Sequence, residues 1–419
     1  MSPTEQLETL LDRTEEVLPE GELLERLERS RSEKRPLRVK QGFDPTAPDI
    51  HLGHAVGLRK LREFQQLGHQ VVLIVGDYTG MVGDPSGRNR ARPQLTEEEV
   101  ERNAATYLDQ FHRIVDRSPP APLLPVEVHR NGEWFSKMRF MDVMRLASQY
   151  TVARMLERDD FAKRFADRHP ISVHELFYPL MQGYDSVAIR SDVELGGTEQ
   201  KFNLLVGRAL QELHGQLPQV VMTMPLLPGL DGGQRMGKSL GNYVGVTEAP
   251  SEMYGKLMSL SDAVMPVFWR LAAALDIDQR KAVERDIEAL GRGDSSVHPM
   301  TLKKRLAHRI VALYHGDAAA DRAQADFETQ FQKKGVPEDL PTVRIESDKA
   351  MGIKDLLVAS GLAASGSAAW RAVDQGAVSL DGVKISDRNF RWEPQGSAVL
   401  RVGRKMVRIE VGSGTADRR

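Results

Sequence analysis

Gly42-Phe43-Asp44-Pro45-Thr46-Ala47-Pro48-Asp49-Ile50-His51-Leu52-Gly53-His54 stands between two stretches of different period. Before it, Leu37 to Gly42 alternates apolar and polar residues and stops at a glycine, as a strand does. After it, Val56, Leu58, Leu61, Phe64 and Leu67 recur at helical spacing between Ala55 and Leu67. The two histidines therefore fall where a strand hands over to a helix. An open α/β sheet binds ligands at such places, and the free N–H groups of a helix start favour phosphate. Gly53 lacks a Cβ and lets a ligand come close to the backbone. His51 and His54, three residues apart on a first turn, face the same way and can donate to phosphate or ribose oxygens. Taken alone, the short string is better explained by two histidines capping a helix.

The chain has 419 residues, too many for one core, so two or three domains are expected. Apolar residues make up 41% and charged residues 28%, the balance of a soluble globular enzyme. No apolar run approaches the roughly 20 residues of a membrane span. The acidic start, Met1 to Gln6, has no signal-peptide pattern, and the cytoplasm is the expected compartment. With no cysteine, disulfides, thiolate metal sites and thiol nucleophiles are excluded. A net charge of −2 confines any nucleic-acid contact to local patches.

Glu5 to Arg31 reads as an amphipathic helical region. Gln70 to Gly76 is a near-continuous apolar run, as in a strand buried on both faces of a parallel sheet. It leads into Asp77-Tyr-Thr-Gly-Met-Val-Gly83-Asp84-Pro-Ser-Gly87, a turn-rich loop that puts Asp84 at the carboxyl edge of the sheet. Arg88 to Arg92 is a short basic run that fits a phosphate track or a solvated loop equally. Thr96 caps a helix with acids in its first turn, running to about Val115, and a third strand follows at Val126 to His129. Met141 to Arg168 is helical and charged, the pattern of a solvated face. Tyr178, Gln182 and Asp185 lie at i, i+4 and i+7, one stripe of one helix. Such groups facing inward each need a partner, which favours a recognition surface over plain packing. Asp192 to Asn203 reads as strand, paired glycines Gly196-Gly197, then helix, and Gln219 to Thr223 as another buried strand.

Downstream lies Gln234-Arg235-Met236-Gly237-Lys238-Ser239-Leu240-Gly241-Asn242, preceded by glycine-rich Pro228 to Gly233. A mobile loop of this kind can swing an ammonium onto a triphosphate. In this order, with an α/β pattern between, the two strings resemble the paired signatures of the class I aminoacyl-tRNA synthetases. Arg235 replaces the usual leading Lys of the second signature and Gly237 its first Ser. Gly-Phe-Asp-Pro-Thr-Ala, Gly83 to Gly87 and Gln182-Gly-Tyr-Asp185 are similar to the tyrosyl branch, from about Val39 to the end.

The resemblance implies a Rossmann-type α/β domain with a parallel sheet over residues 1–248, an all-α anticodon-side domain over 249–335, a linker at 336–349 and a small α+β RNA-binding domain at 350–419. It implies ATP as substrate with Mg2+, no protein-held metal, L-tyrosine, tRNA(Tyr), a homodimer and no membrane. It assigns Thr46 and His51 to the γ-phosphate, His54 to the ribose and α-phosphate side, and Lys238, with Arg235, to the departing pyrophosphate, Ser239 completing that motif. Gly42, Asp44, Gly53, Gly196, Gly197, Glu199 and Met236 complete the nucleotide site, Glu199 standing where Asp is usual. Asp84, Tyr178 and Gln182 take the α-amino group, Asp185 the phenol, and Gln200 reaches the same pocket. Lys40 occupies the position of a phenol-binding Tyr in much of the branch.

From Ser251 to Phe331 the pattern is helical, and Lys303, Lys304, Arg305, His308 and Arg309 give one helix a basic, RNA-facing side. Gly352 to Gly382 holds two short helices and an Asp-Gly hairpin, resembling an RNA-binding module shared with a ribosomal protein, and a basic tail follows (Arg388, Arg391, Arg401, Arg404, Lys405, Arg408). A tryptophan-specific relative, a nucleotidylyltransferase and a catalytically inactive synthetase-like RNA-binding protein remain alternatives.

Overall fold

The protein is described from a computed structural model, which covers residues 1–86, 95–294, 296–329, 340–345, 350–393, 397–403 and 405–411. The basic run Arg88 to Arg92, Gly87, Arg404 and most of the linker segment lie outside the described residues. Two compact units are resolved, Met1–Ala320 and Asp321–Arg419.

The first unit is organised on a six-stranded sheet. Its strands are β1 (Glu16–Leu18), β2 (Arg38–Phe43), β3 (Gln70–Val75), β4 (Glu127–Arg130), β5 (Val193–Gly197) and β6 (Val220–Met224), in the order β1-β6-β5-β2-β3-β4. All neighbours are parallel except β1 with β6. β3 and β6 are buried almost end to end, which is why they read as unbroken apolar runs. From β2 the chain builds outward to β3 and β4, then returns to lay β5 and β6 on the other side. The order reverses between β2 and β5, so their carboxyl ends open a crevice.

The motif helix, Leu52–Gln66, begins three residues before its apolar period does, because His51 acts as its N-cap and the His51 N–H donates to His54 Nδ1 at 3.3 Å. The capping box at Thr96 and Glu99 forms as its spacing predicts and opens the helix Glu97–Phe111. Two readings need correction. Glu5 to Arg31 is not continuous helix: it breaks at Asp12 and Arg13, contributes β1 as an antiparallel edge strand, and resumes at Glu22–Glu33. Met141 to Arg168 is three short helices, Phe140–Ser148, Val152–Met155 and Asp159–Ala166, and Arg158 and Arg164 within it are buried rather than solvated.

Among the described residues, five α-helices follow the sheet from Pro250–Met258 to Asp317–Phe327. The expected basic side of Pro299–His315 is largely spent internally. Lys303 pairs with Asp262 at 2.7 Å, Arg305 with Asp286 at 2.7 Å, and Arg309 donates to the carbonyls of Ala273 and Ala274. In the second unit, helices Ile353–Ala359 and Gly366–Asp374 pack Leu356, Leu357, Ala369 and Val373 against Leu400 and Ile409 of a five-stranded sheet. Its hairpin turns at Asp381 and Gly382, both at positive φ, as an Asp-Gly turn requires.

Candidate active site

At the carboxyl end of β2 the chain turns through Asp44 and Pro45 into the motif. His51 and His54 stack with ring centroids 3.8 Å apart. A Cβ on Gly53 would lie 3.0 Å from the His51 ring and 3.6 Å from Met236, so a side chain there would press the His51 ring out of place. Gly42 has no such neighbour, the nearest atom to its would-be Cβ being Ile74 at 4.0 Å. Burial lowers the His51 pKa to about 3, helped by Lys238 and Arg235, and burial with His51 and Lys238 holds His54 well below its ordinary value. Both imidazoles are neutral at physiological pH, fit to donate or accept a hydrogen bond but not to carry charge.

The later motif reaches the first one directly. Leu52 N–H donates to Val244 O at 2.9 Å, and Val246 N–H to Ile50 O at 2.8 Å. Asn242 braces the loop, accepting from Gly237 N–H and donating to Asp231 and to the Arg235 carbonyl. Lys238 Nζ donates to Ala47 O at 3.0 Å and to the Tyr107 hydroxyl at 3.3 Å. Burial lowers its pKa to about 8, with Asp49 opposing. Arg235 meets Glu199 at 2.6 Å, so the turn after β5 is tied to the lysine loop. The Ser239 side chain lies outside the described residues, and Thr46 is exposed beside the loop carrying Ala47.

The helix Phe177–Ile189 presents Tyr178, Gln182 and Asp185, all buried, on one face. It lies close on Lys201–Leu213 because glycines meet: a Cβ on Gly183 would stand 3.1 Å from Gly207 N. Tyr178 OH donates to Asp44 Oδ2 at 2.8 Å, joining this wall to the nucleotide motif. Asp44 Oδ1 accepts from Thr79 at 2.7 Å. Trp134 Nε1 donates to Asp185 Oδ1 at 2.9 Å, and Asn131 to Oδ2 at 3.4 Å. Burial pushes the Asp185 carboxyl up to about 7, against the pull of Lys40, Trp134 and Asn131. Near neutral pH it exists in both forms, and either can hydrogen-bond a hydroxyl.

Two residues assigned to the amino-acid pocket sit differently. Lys40 is fully buried, and its three donors go to Gln182 O at 2.9 Å, Ser186 Oγ at 2.7 Å and Glu194 Oε1 at 2.9 Å. With no proton left to offer, it stands behind the wall and holds it. Gln200 turns its carbonyl back to accept Gly197 N–H at 3.1 Å. Glu194 also accepts from Gln182 Nε2 at 3.0 Å and from Ser186 at 2.9 Å. Removing one partner of such a pair strands the other charge. Lys40→Ala is expected to cost about 3–5 kcal/mol of unfolding free energy, and Lys40→Met with Glu194→Gln to recover most of it. Urea unfolding curves of both variants check this; equal losses would contradict it. Trp134, Asn131, Glu194, Asn203 and Arg158 carried no signal in the sequence beyond being polar or aromatic.

Residues 32–332 match the family described as tRNA synthetases class I (W and Y). The chain belongs to this family. Residues 332–406 match the tyrosine–tRNA ligase SYY-like C-terminal domain. Among relatives of this class I synthetase, a tyrosine–tRNA ligase of Thermotoga maritima is 51% identical over 413 residues, 98% of this chain and 99% of that one. One of Moorella thermoacetica is 49% identical over 405 residues, 96% and 95% of the two chains. Among solved structures, a tyrosyl-tRNA synthetase of Archaeoglobus fulgidus complexed with L-tyrosine matches with a TM-score of 0.60 at 23% identity, covering 77% of this chain and all of that one (100%). A truncated mitochondrial tyrosyl-tRNA synthetase of Aspergillus nidulans gives 0.64 at 22% identity, over 79% and 94%. At these identities the structural matches speak for the fold.

Proposed function

We propose that this synthetase is a tyrosine–tRNA ligase: it activates L-tyrosine with ATP to tyrosyl-adenylate and pyrophosphate, then passes tyrosine to the 3′ end of tRNA(Tyr). The observation that carries the reading is the buried carboxyl of Asp185, on the same helix face as Gln182 and as Tyr178, whose hydroxyl bonds Asp44 of the nucleotide motif. A hydroxyl reader and a phosphate site thus share one wall. The substrate carboxylate is already a nucleophile, so no side chain need become covalent or move a proton. Catalysis is positioning plus stabilisation of the charge that builds on phosphate.

In this reading Thr46 and His51 meet the γ-phosphate, His54 the ribose and α-phosphate side, and Lys238 with Arg235 the departing pyrophosphate. Gly42, Gly53, Gly196, Gly197 and Met236 leave room for the nucleotide. Glu199 exchanges Arg235 for ribose as ATP enters. Mg2+ comes with ATP as part of the substrate. Asp84, Tyr178 and Gln182 take the α-ammonium. The Tyr178 hydroxyl donates to Asp44, which ties this ammonium side of the wall to the nucleotide motif. The helices after residue 249 and the C-terminal unit meet tRNA. Large apolar side chains exposed between residues 140 and 173, including Phe140, Met141, Val152, Phe165 and Val173, support a homodimer through this region. Among the described residues no helix is long and apolar enough to cross a membrane, and the translation role puts the enzyme in the cytoplasm.

Pyrophosphate exchange measured with each standard amino acid tests the reading. Exchange with tyrosine alone is expected. Preference for tryptophan, or no exchange with any amino acid, would overturn it.

A further inference from the structure

Arg158 was part of a stretch that reads as a solvated charged face, yet it is 4% exposed. It precedes the helix Asp159–Ala166 and turns inward, its guanidinium lying 5.0 Å from the centroid of the Phe161 ring. Each nitrogen has a different task. Nε pairs with Asp160 at 2.7 Å, which supplies the counter-charge. Nη1 donates to Asn203 Oδ1 at 3.2 Å, and Nη2 to Ser86 Oγ at 2.7 Å.

Both partners lead to the amino-acid pocket. Asn203 Nδ2 donates to Gln182 Oε1 at 2.9 Å, while Gln182 Nε2 is taken by Glu194. The Gln182 amide therefore has one orientation, with its carbonyl oxygen aimed by Asn203 and one lone pair remaining. On the other side, Ser86 donates to Asp84 Oδ1 from both its backbone N–H, at 2.9 Å, and its hydroxyl, at 2.6 Å. Arg158 itself stays 3.9 Å from Asp84 Oδ1, beyond hydrogen-bonding range. One guanidinium thus orients, at one remove each, the carboxylate and the amide assigned to the substrate ammonium. A planar fork with fixed donor directions suits this task better than a lysine would.

We propose that Arg158 is the positioning residue for the α-ammonium end of the tyrosine pocket, acting through Ser86 on Asp84 and through Asn203 on Gln182. This rests on the tyrosine-activating reading above. The sign of its effect separates geometry from charge. As a bare cation near the pocket, Arg158 would repel an ammonium, and its removal would tighten tyrosine binding. As a positioning group, its removal loosens binding.

The test uses the full-length enzyme in pyrophosphate exchange, with tyrosine as substrate and 3-(4-hydroxyphenyl)propionate, tyrosine without its amino group, as competitive inhibitor. In Arg158→Met the KM for tyrosine is expected to rise about tenfold or more, the loss of a well-placed charge-assisted hydrogen bond. The KM for ATP and the inhibition constant of the amine-free analogue should stay within about twofold, because neither involves the ammonium. Ser86→Ala, which leaves Arg158 in place, should raise the tyrosine KM about threefold or more with the same selectivity, and serves where the first variant does not fold. A parallel rise for tyrosine and analogue would make Arg158 a general scaffold residue and overturn the proposal. So would an unchanged or lowered tyrosine KM. Failure of the unsubstituted enzyme to activate tyrosine would instead overturn the function on which the proposal stands.

Discussion

Lys238→Ala is expected to slow tyrosyl-adenylate formation by about 10²–10³, the range seen when one preorganised charge-stabilising donor is removed. The tyrosine KM should stay within about twofold, since the effect falls on a group used only as phosphate charge develops. Lys238 is held by Ala47 O and the Tyr107 hydroxyl, and its hydrogen bonds go to the stretch after β2 and to the helix Glu97–Phe111 rather than to Tyr178, Gln182 or Asp185. The other cation of the loop, Arg235, is paired with Glu199 and is assigned a supporting place at the same pyrophosphate. Single-turnover adenylate formation with saturating tyrosine measures the step. A comparable loss of tyrosine affinity would remove Lys238 from the role assigned to it.

The same side chain sets the pH dependence. Burial lowers the Lys238 pKa to about 8 in the free enzyme. The charged form is the active one, so kcat/KM for ATP should fall as pH rises through about 8, and the alanine variant should lack that limb. Bound phosphates favour the ammonium, so the corresponding limb in kcat should lie at higher pH. His51, at about 3, and His54, held well below its ordinary value by burial, contribute no inflection near 6.5. An imidazole limb near 6.5 would mean that a histidine acts as acid or base, contrary to the geometry.

What the sequence made legible follows from period and spacing. The β2–helix–β3 crossover, the parallel sheet and the stripe of Tyr178, Gln182 and Asp185 rest on local patterns, and each formed as read. Strand β1 was missed because three residues offer no period, and because its stabilisation comes from pairing with β6, some two hundred positions away. Lys40 misled for a related reason. One polar residue in a strand pattern says nothing of whether its charge faces substrate or a carboxylate on the next strand; Glu194, its partner, becomes visible only when β2 and β5 pair. Arg158 is the same lesson in reverse, a charged residue in a charged stretch whose inward partners, Ser86 and Asn203, are brought to it only by the fold. Groups that contact ligand lie on motifs; groups that hold them lie wherever the fold brings them.

Asp185→Ala should separate the substrates that differ by one hydroxyl. The phenol of tyrosine loses its carboxyl partner, worth about 1.5–3 kcal/mol when a charged group is involved, so kcat/KM for tyrosine should fall about 10–10²-fold. Phenylalanine never made that bond, and its kcat/KM should change by less than about threefold, so discrimination narrows from the tyrosine side. Trp134 and Asn131 limit the loss, because their N–H groups, freed of Asp185, can donate to the phenolic oxygen. Removing the carboxyl should not weaken the fold electrostatically. Its folded pKa, about 7, lies above the ordinary 3.8, so the folded chain holds an extra proton between those values. Stability from this group therefore declines as pH rises through that window, and the variant should lose that decline. Thermal melts at pH 5 and pH 8 would then differ less in the variant than in the unsubstituted enzyme. Equal loss with tyrosine and phenylalanine would instead mean that Asp185 braces Trp134 and Asn131 and reads no hydroxyl at all.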